Sequence, residues 1–250
     1  MALAFPSTAS PPLPGLALVA AGGFAASALL PGSDGVTALC GALGRVPLSE
    51  LPLALGPGWS VWPVLAEWSL MVVAMMPLLI ADPVDNVWRS SLASRRPRAL
   101  CLFALGYALP WLAAAAVLIP AAALLRLALP GWVALAAALG LALAWSASPL
   151  SQVARNRCHR RHRVGAAGPR ADRECLSHGL NTGAACVLTC WPWMLVPFAV
   201  EAGHMLVMVA VALVLFCERI VPAGAPRWQV PPAFETLRAL LPRQKVLGRL

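Results

Sequence analysis

Charged residues are scarce in this sequence. They make up 12% of the 250 residues, whereas hydrophobic residues make up 60% and the mean hydropathy is +0.75. In soluble domains roughly a quarter of the residues are charged. The composition therefore argues against a soluble domain and predicts the lipid bilayer as the main partner, with room in the chain for six spans of about 20 residues.

Aromatic residues and catalytic motifs are also few. One Tyr and six Phe, without a regular alternation of apolar and polar positions, argue against a transmembrane β-barrel. Helices are expected instead, because they satisfy their own backbone hydrogen bonds in lipid. The sequence has no Walker loop, dinucleotide-binding glycine pattern, His-Glu-x-x-His motif or nucleophile elbow. Nothing in it supports a hydrolase or an ATP-driven pump, and we favour a role other than that of an enzyme.

Apolar stretches divide the chain, each near the length of about 20 residues that a hydrocarbon core requires. We expect an all-α polytopic membrane helix bundle over residues 1–222, followed by a basic cytoplasmic tail over residues 223–250. The predicted spans are residues 13–31, 61–81, 99–119, 131–150, 179–200 and 205–221.

Basic residues lie on one side of this predicted bundle. Segments 82–98 and 151–178 and the tail are rich in Arg, whereas the alternate connections hold few basic residues. The positive-inside rule then places both termini in the cytoplasm, which makes the chain a multi-pass protein of a bacterial inner membrane. The same rule accounts for the net charge of +9 without nucleic acid as a partner. Of the seven Cys, only Cys40 would lie outside, which argues against a disulfide framework.

The second predicted span carries an acid and two thioethers on one face. Glu67, Met71 and Met75 are four residues apart, which is the spacing of neighbours along a helix. An ionisable residue inside a span is a functional candidate, because its burial costs free energy unless it faces protein, water or an ion. The alternative is that Glu67 lies near enough to the outer surface to reach water or to be protonated.

Sulfur atoms recur on the fifth and sixth predicted spans. Cys186, Cys190 and Met194 share one helical face, and His204 and Met208 lie one turn apart at the outer end of span six. Thiolate and thioether sulfurs suit soft metals such as Cu(I). The alternative is ordinary packing, since free Cys and Met are common in buried helices.

The ligands of spans two and five would match in depth, because the two spans run in opposite directions. If these helices touch, a soft-metal site forms between them and an ion enters from the outer face. The matched pairs are Glu67 with Met194, Met71 with Cys190, and Met75 with Cys186. The complete set of candidate metal ligands is Glu67, Met71, Met75, Cys186, Cys190, Met194, His204 and Met208.

Two groups near the inner face have less specific interpretations. One group lies at span ends beside the thiols Cys175 and Cys217, and it consists of Asp82, Asp85, His178 and Glu218. It could form an inner acceptor site, but we favour the interpretation that these residues pair with the abundant Arg. Cys158 with His159 and His162 resembles a ligand cluster, but it lies in an Arg-rich run whose cations would repel a metal. We favour contact of this run with anionic lipid head groups.

Four segments carry a resemblance to a known family. They are the run around Trp68 that ends at Pro77, residues 148–160, the segment from His178 through Cys186 and Cys190, and residues 204–218. Together they resemble the bacterial family described as predicted metal-binding integral membrane proteins of unknown function. The resemblance implies a multi-helix inner-membrane protein with a metal site built from Met, Cys and Glu.

Three functions are compatible with these features. The first is the binding or handling of a soft metal, with copper as Cu(I) the expected cofactor. The second is an accessory or structural subunit of a larger membrane complex, in which Gly- and Ala-rich helix faces pack on partner subunits. The third is a small-solute or proton-coupled transporter with Glu67 or Glu218 as the titrating group. It ranks last, because the sequence shows neither an internal repeat nor a matched pair of broken helices.

Overall fold

A computed structural model describes residues 12–29, 62–160, 163–200 and 203–240, and helices make up the regular structure of these residues. No strand occurs within these four ranges, so the predicted all-α fold is confirmed for them. Cys40, His162, the connection 30–61 and the last ten residues of the predicted tail lie outside the described residues.

The described helices follow one another with short connections. Three 3-10 turns, Pro77–Ile80, Ala93–Arg95 and Pro197–Ala199, lie between or beside them. In chain order the α-helices are α1 (Pro12–Leu29), α2 (Trp62–Met75), α3 (Ala81–Ser90), α4 (Arg96–Ala128), α5 (Gly131–Ala147), α6 (Pro149–Cys158), α7 (Pro169–Leu195), α8 (His204–Arg219) and α9 (Pro232–Leu240).

Three stretches of the described chain are long and apolar enough to cross a membrane, namely Pro12–Leu29, Ala93–Ala128 and Pro169–Ala199. They overlap the predicted spans 13–31, 99–119 and 179–200. The predicted spans 61–81 and 131–150 each coincide with a bent helix pair instead of one straight helix. The predicted span 205–221 corresponds to α8, which has 16 residues. A total of six spans stays a prediction.

The two bends were not expected from the sequence. The helix pair Trp62–Met75 and Pro77–Ser90 is bent by 55°, and the pair Gly131–Ala147 and Pro149–Cys158 by 70°. Both second halves begin with a proline, which lacks the backbone N–H and clashes with the preceding turn of a helix. Ser148 also caps α6, because its Oγ accepts a hydrogen bond from the Ser151 backbone N–H at 3.2 Å. The chain therefore changes direction at Met76 and at Ser148.

Helices α4 and α7 form the most extensive helix pair of the described structure, and glycines bring their backbones together. A Cβ built on Gly179 would lie 2.1 Å from the carbonyl oxygen of Phe103, and one on Gly183 would lie 2.6 Å from that of Tyr107. On the facing helix, a Cβ on Gly106 would lie 2.3 Å from the carbonyl oxygen of Leu176. The sequence predicted that Gly183 would admit a close neighbour, and that neighbour is α4.

The Arg-rich segment 151–178, which the sequence analysis treats as a connection, is largely helical. It contains most of α6 and the first turns of α7. Helix α6 also runs against α7, which places its residues beside the thiols of that helix. Buried side chains of this segment therefore belong to the interior of the protein.

Candidate metal centre

Two thiols on α7 form the basis of the candidate centre. Cys186 and Cys190 lie one helical turn apart, and their Sγ atoms are 3.9 Å from each other. Their exposed fractions are 3% and 2%, so both sulfurs are inside the protein. The helix alone accounts for this pairing, because side chains at positions i and i+4 share one face.

A thioether reaches the same thiols from the bend after α2. The Met76 Sδ lies 3.9 Å from the Cys186 Sγ, and the Met76 side chain is buried. Met76 still donates its backbone N–H to the Val72 carbonyl, but the helix ends there because Pro77 starts a 3-10 turn. Met76 therefore contacts α7 from the bend between α2 and the 3-10 turn.

The measured separations suit a single soft ion. A trigonal centre with metal–sulfur bonds of about 2.3 Å places its sulfurs about 4 Å apart. Both sulfur–sulfur distances to Cys186 are 3.9 Å. Two thiolates and a thioether at this spacing form a ligand set of the kind that Cu(I) prefers.

The single Tyr of the chain touches this centre. Tyr107 on α4 is buried, and its phenol O–H donates a hydrogen bond to the Cys186 Sγ at 3.2 Å. A hydrogen bond donated to sulfur favours the thiolate form that binds metals. Sequence reasoning missed Tyr107. The available signal was a lone polar aromatic residue inside a predicted span.

The other predicted ligands have different surroundings. Four thioethers are buried in the apolar core: Met71, Met75, Met194 and Met208. The ring nitrogen Nδ1 of His204 lies 2.8 Å from the Pro197 carbonyl oxygen, and Glu67 is half-buried on α2. Across the described ranges, no three residues among His, Cys, Asp and Glu converge on one point. A centre at Cys186 therefore depends on its thioether neighbour.

A small cavity of about 10 Å³ adjoins the two thiols. This volume is close to the least that holds one water molecule. Its wall combines thiols, charged groups and apolar side chains from α6, α7, α8 and the turn after α2. The lining residues are Leu79, Arg155, Cys158, Cys186, Thr189, Cys190, Leu215, Glu218 and Arg219.

A buried ion pair crosses this cavity. The Arg155 Nη1 lies 3.8 Å from a carboxylate oxygen of Glu218, and the exposed fractions of the two side chains are 2% and 1%. Arg155 also donates hydrogen bonds to the Ser146 carbonyl and to the side chains of Ser151 and Gln152. The sequence predicts that Glu218 pairs with Arg at a helix end. The pairing is correct, but it lies in the interior beside the thiols.

The run at residues 157–160 also differs from its predicted surface role. Arg157 and Arg160 point outwards and are exposed, whereas Cys158 points inwards and is buried. His159 follows the end of α6, where burial and then the charge of Arg219 lower the pKa of its imidazole. His159 is therefore neutral at pH 7. The thiol between these basic residues thus belongs to the cavity and not to the surface.

Comparison with known proteins identifies the family of this chain. No curated protein and no solved structure matches it. The model of one protein family, PpoB2, described as copper chaperone, matches residues 65–240, a range that contains the sulfur atoms and the cavity. The resemblance in the sequence predicted a metal-related family, and this part of the prediction is confirmed. The matching family is, however, described as a copper chaperone family and not as a membrane family of unknown function. The chain belongs to the PpoB2 copper chaperone family.

Proposed function

We propose that this chain is a membrane-embedded copper chaperone that holds Cu(I) between Cys186, Cys190 and Met76 and then releases it to a recipient. The observation that carries the proposal is the group of three buried sulfurs, in which the Cys186 Sγ lies 3.9 Å from both the Cys190 Sγ and the Met76 Sδ. Membership of a copper chaperone family supports the choice of metal. Copper is here the cargo of the protein.

The surroundings of the three sulfurs support the lower oxidation state. Soft thiolate and thioether ligands favour Cu(I) over Cu(II) and over hard cations. The side chains of Cys186, Cys190 and Met76 are buried, so bulk water does not reach the ion. Tyr107 donates a hydrogen bond to Cys186, and Arg155 lines the adjoining cavity. The hydrogen bond from Tyr107 favours the charged thiolate of Cys186.

The test is the copper content of protein purified in mild detergent without oxygen. Wild-type protein supplied with Cu(I) should carry one copper per chain, and the double variant Cys186→Ser, Cys190→Ser should carry none. The control double variant Cys101→Ser, Cys217→Ser removes two thiols that do not line the cavity, so it should retain the copper. Equal copper in the two double variants would contradict the proposed centre. A stoichiometric companion protein with metal-free chain would favour the accessory-subunit alternative.

We also propose that the chain crosses a bacterial inner membrane six times with both termini in the cytoplasm, and that residues 223–250 form a basic cytoplasmic tail. Three apolar helices and two bent pairs of adequate length support the spans. The one-sided distribution of Arg supports the orientation. Entry of the ion from outside, past Glu67, Met194, His204 and Met208, stays a prediction of the sequence.

Labelling with a membrane-impermeant maleimide tests the orientation. In a background with Cys40 and Cys101 replaced by Ser, Ala202→Cys should react in intact spheroplasts. Ser94→Cys, which is exposed in the turn before α4, should react only after the membrane is permeabilised. The reverse pattern would mean that the termini lie outside.

A further inference from the structure

A third thiol faces the cavity beside the proposed centre. Cys158 is the last residue of α6 and is 5% exposed. Its Sγ lies 3.8 Å from the Thr189 Oγ1, on the stretch of α7 between the two thiols of the centre. Its backbone carbonyl accepts a hydrogen bond from the Arg219 Nη2 at 3.2 Å, which holds the end of α6 against α8. Cys158 therefore lines the same cavity as Cys190, although the two thiols belong to different helices.

The arrangement indicates that Cys158 belongs to a separate ion position. It does not indicate that Cys158 is a fourth ligand of the centre at Cys186, Cys190 and Met76. No three of the His, Cys, Asp and Glu side chains in the described ranges converge, so Cys158, Cys186 and Cys190 do not surround one point. The cavity that they share has a volume of about 10 Å³, which holds one water molecule or one metal ion at a time. An ion in this cavity would therefore be held by one set of sulfurs or by the other.

Glu218 provides an independent sign that the cavity receives a cation. It lines the same cavity and is 1% exposed. Its carboxylate pairs with the Arg155 Nη1 at 3.8 Å and interacts with the Ser146 side chain, but neither carboxylate oxygen makes a hydrogen bond of ordinary length within the described ranges. Lone pairs of this carboxylate are therefore available to a cation that enters the cavity.

We propose that Cys158, with Glu218 beside it, forms a second copper position to which the ion passes from the centre at Cys186 and Cys190. This inference rests on the proposed function above. In the exchange, bonds form from copper to the Cys158 Sγ and to a Glu218 carboxylate oxygen, and the bonds from copper to the Cys190 Sγ, the Cys186 Sγ and the Met76 Sδ break. Cys186 stays a thiolate that accepts the hydrogen bond of Tyr107. The thiol proton of Cys158 passes to the Cys190 sulfur. Copper remains Cu(I), so no electron donor or acceptor is needed.

The position of Cys158 gives the step a direction. Helix α6 ends at Cys158, and Arg160, two residues later, is exposed. Copper that moves from Cys190 to Cys158 therefore moves from the interior of α7 towards the surface at the end of α6. A recipient at that surface can take the ion by the same kind of ligand exchange.

The experiment compares copper content with the rate of copper release. Holoprotein is mixed with a soluble Cu(I) chelator, and release is followed by the absorbance of the chelate. Cys158→Ser should keep one copper per chain but release it about tenfold more slowly, the effect of a barrier raised by about 1.4 kcal/mol. Cys175→Ser, which removes an equally buried thiol of α7 outside the cavity, should release copper at the wild-type rate.

Each result separates this inference from the proposed function. Release at the wild-type rate from Cys158→Ser would overturn the second position and leave the first centre intact. Loss of copper from a Cys158→Ser protein that melts at the wild-type temperature would make Cys158 a ligand of the first centre, which also overturns the inference. Wild-type protein without copper would overturn the proposed function itself. If Cys158→Ser does not fold, Cys158→Ala carries the same comparison, because Ala leaves no polar group in the apolar part of the wall.

Discussion

Replacing Gly179 by alanine is expected to destabilise the protein severely. The new Cβ would lie 2.1 Å from the Phe103 carbonyl oxygen and 3.0 Å from the Tyr107 backbone nitrogen, and neither backbone atom can rotate away. Helices α4 and α7 would have to separate, at a cost of about 3 kcal/mol, the upper part of the usual range for overpacking. The free energy of unfolding in mixed micelles measures this loss.

Gly140→Ala is the matched control for this variant. Gly140 lies inside α5, and a Cβ there would have nothing within 4 Å. Alanine favours a helix over glycine by up to roughly 1 kcal/mol, so the control should be as stable as wild type or slightly more stable. Gly179→Ala should also lose copper affinity, because separating the helices carries Tyr107 away from Cys186. Equal stability of the two variants would show that the helices do not approach each other as described.

Replacing Arg155 by methionine is expected to have the second large effect. The variant leaves the Glu218 carboxylate buried beside the cavity without its counter-charge, and it removes the hydrogen bonds to Ser146, Ser151 and Gln152. Breaking a buried ion pair in this way costs about 3–5 kcal/mol. The unfolding temperature in detergent, compared with that of the wild type, measures this loss of stability.

Two further variants identify the cause of that loss. Arg157→Met changes an exposed side chain of the same helix and should unfold at nearly the wild-type temperature. The double variant Arg155→Met, Glu218→Leu removes both charges and should recover much of the stability, since an apolar pair often replaces a buried ion pair without loss. A double variant that is less stable than Arg155→Met alone would contradict the role assigned to the pair.

The sequence predicts the helical class and the thiol pair well, for a local reason. Both depend on residues close in the chain: the apolar runs that form helices, and the spacing of four that places Cys186 beside Cys190. Gly183 was likewise expected to admit a close helix, because a missing Cβ is a property of the residue itself. Such features need no knowledge of distant parts of the fold.

The third sulfur illustrates what local patterns miss. The prediction that Glu67, Met71 and Met75 face the thiols of α7 assumes that span two is a straight helix throughout. The helix ends at Met75, and the 55° bend that follows directs Met76 towards Cys186. Depth matching had paired Met75 with Cys186, whereas the thioether that lies 3.9 Å from the Cys186 Sγ is that of Met76. A proline after two consecutive Met was the signal that could have indicated the change.

Cys158 and Arg155 were misjudged because the composition of a segment was applied to each of its residues. The segment 151–178 is Arg-rich, which favours a surface position, yet its first part is helical and one side faces α7. On that helix Arg157 is exposed while Arg155 and Cys158 are buried. Net charge describes the segment as a whole, whereas the helical turn decides which side chains enter the protein.

The bend at Met76 bears on the release of copper from the proposed centre. Two of the three sulfurs, those of Cys186 and Cys190, belong to one continuous helix, α7. The third belongs to Met76, which lies between α2 and a 3-10 turn. If Cu(I) binds at the proposed centre, a change in the side-chain torsions of Met76 would remove the thioether while both thiols stay in place on α7. The coordination number would then fall by one, and the ion would leave faster.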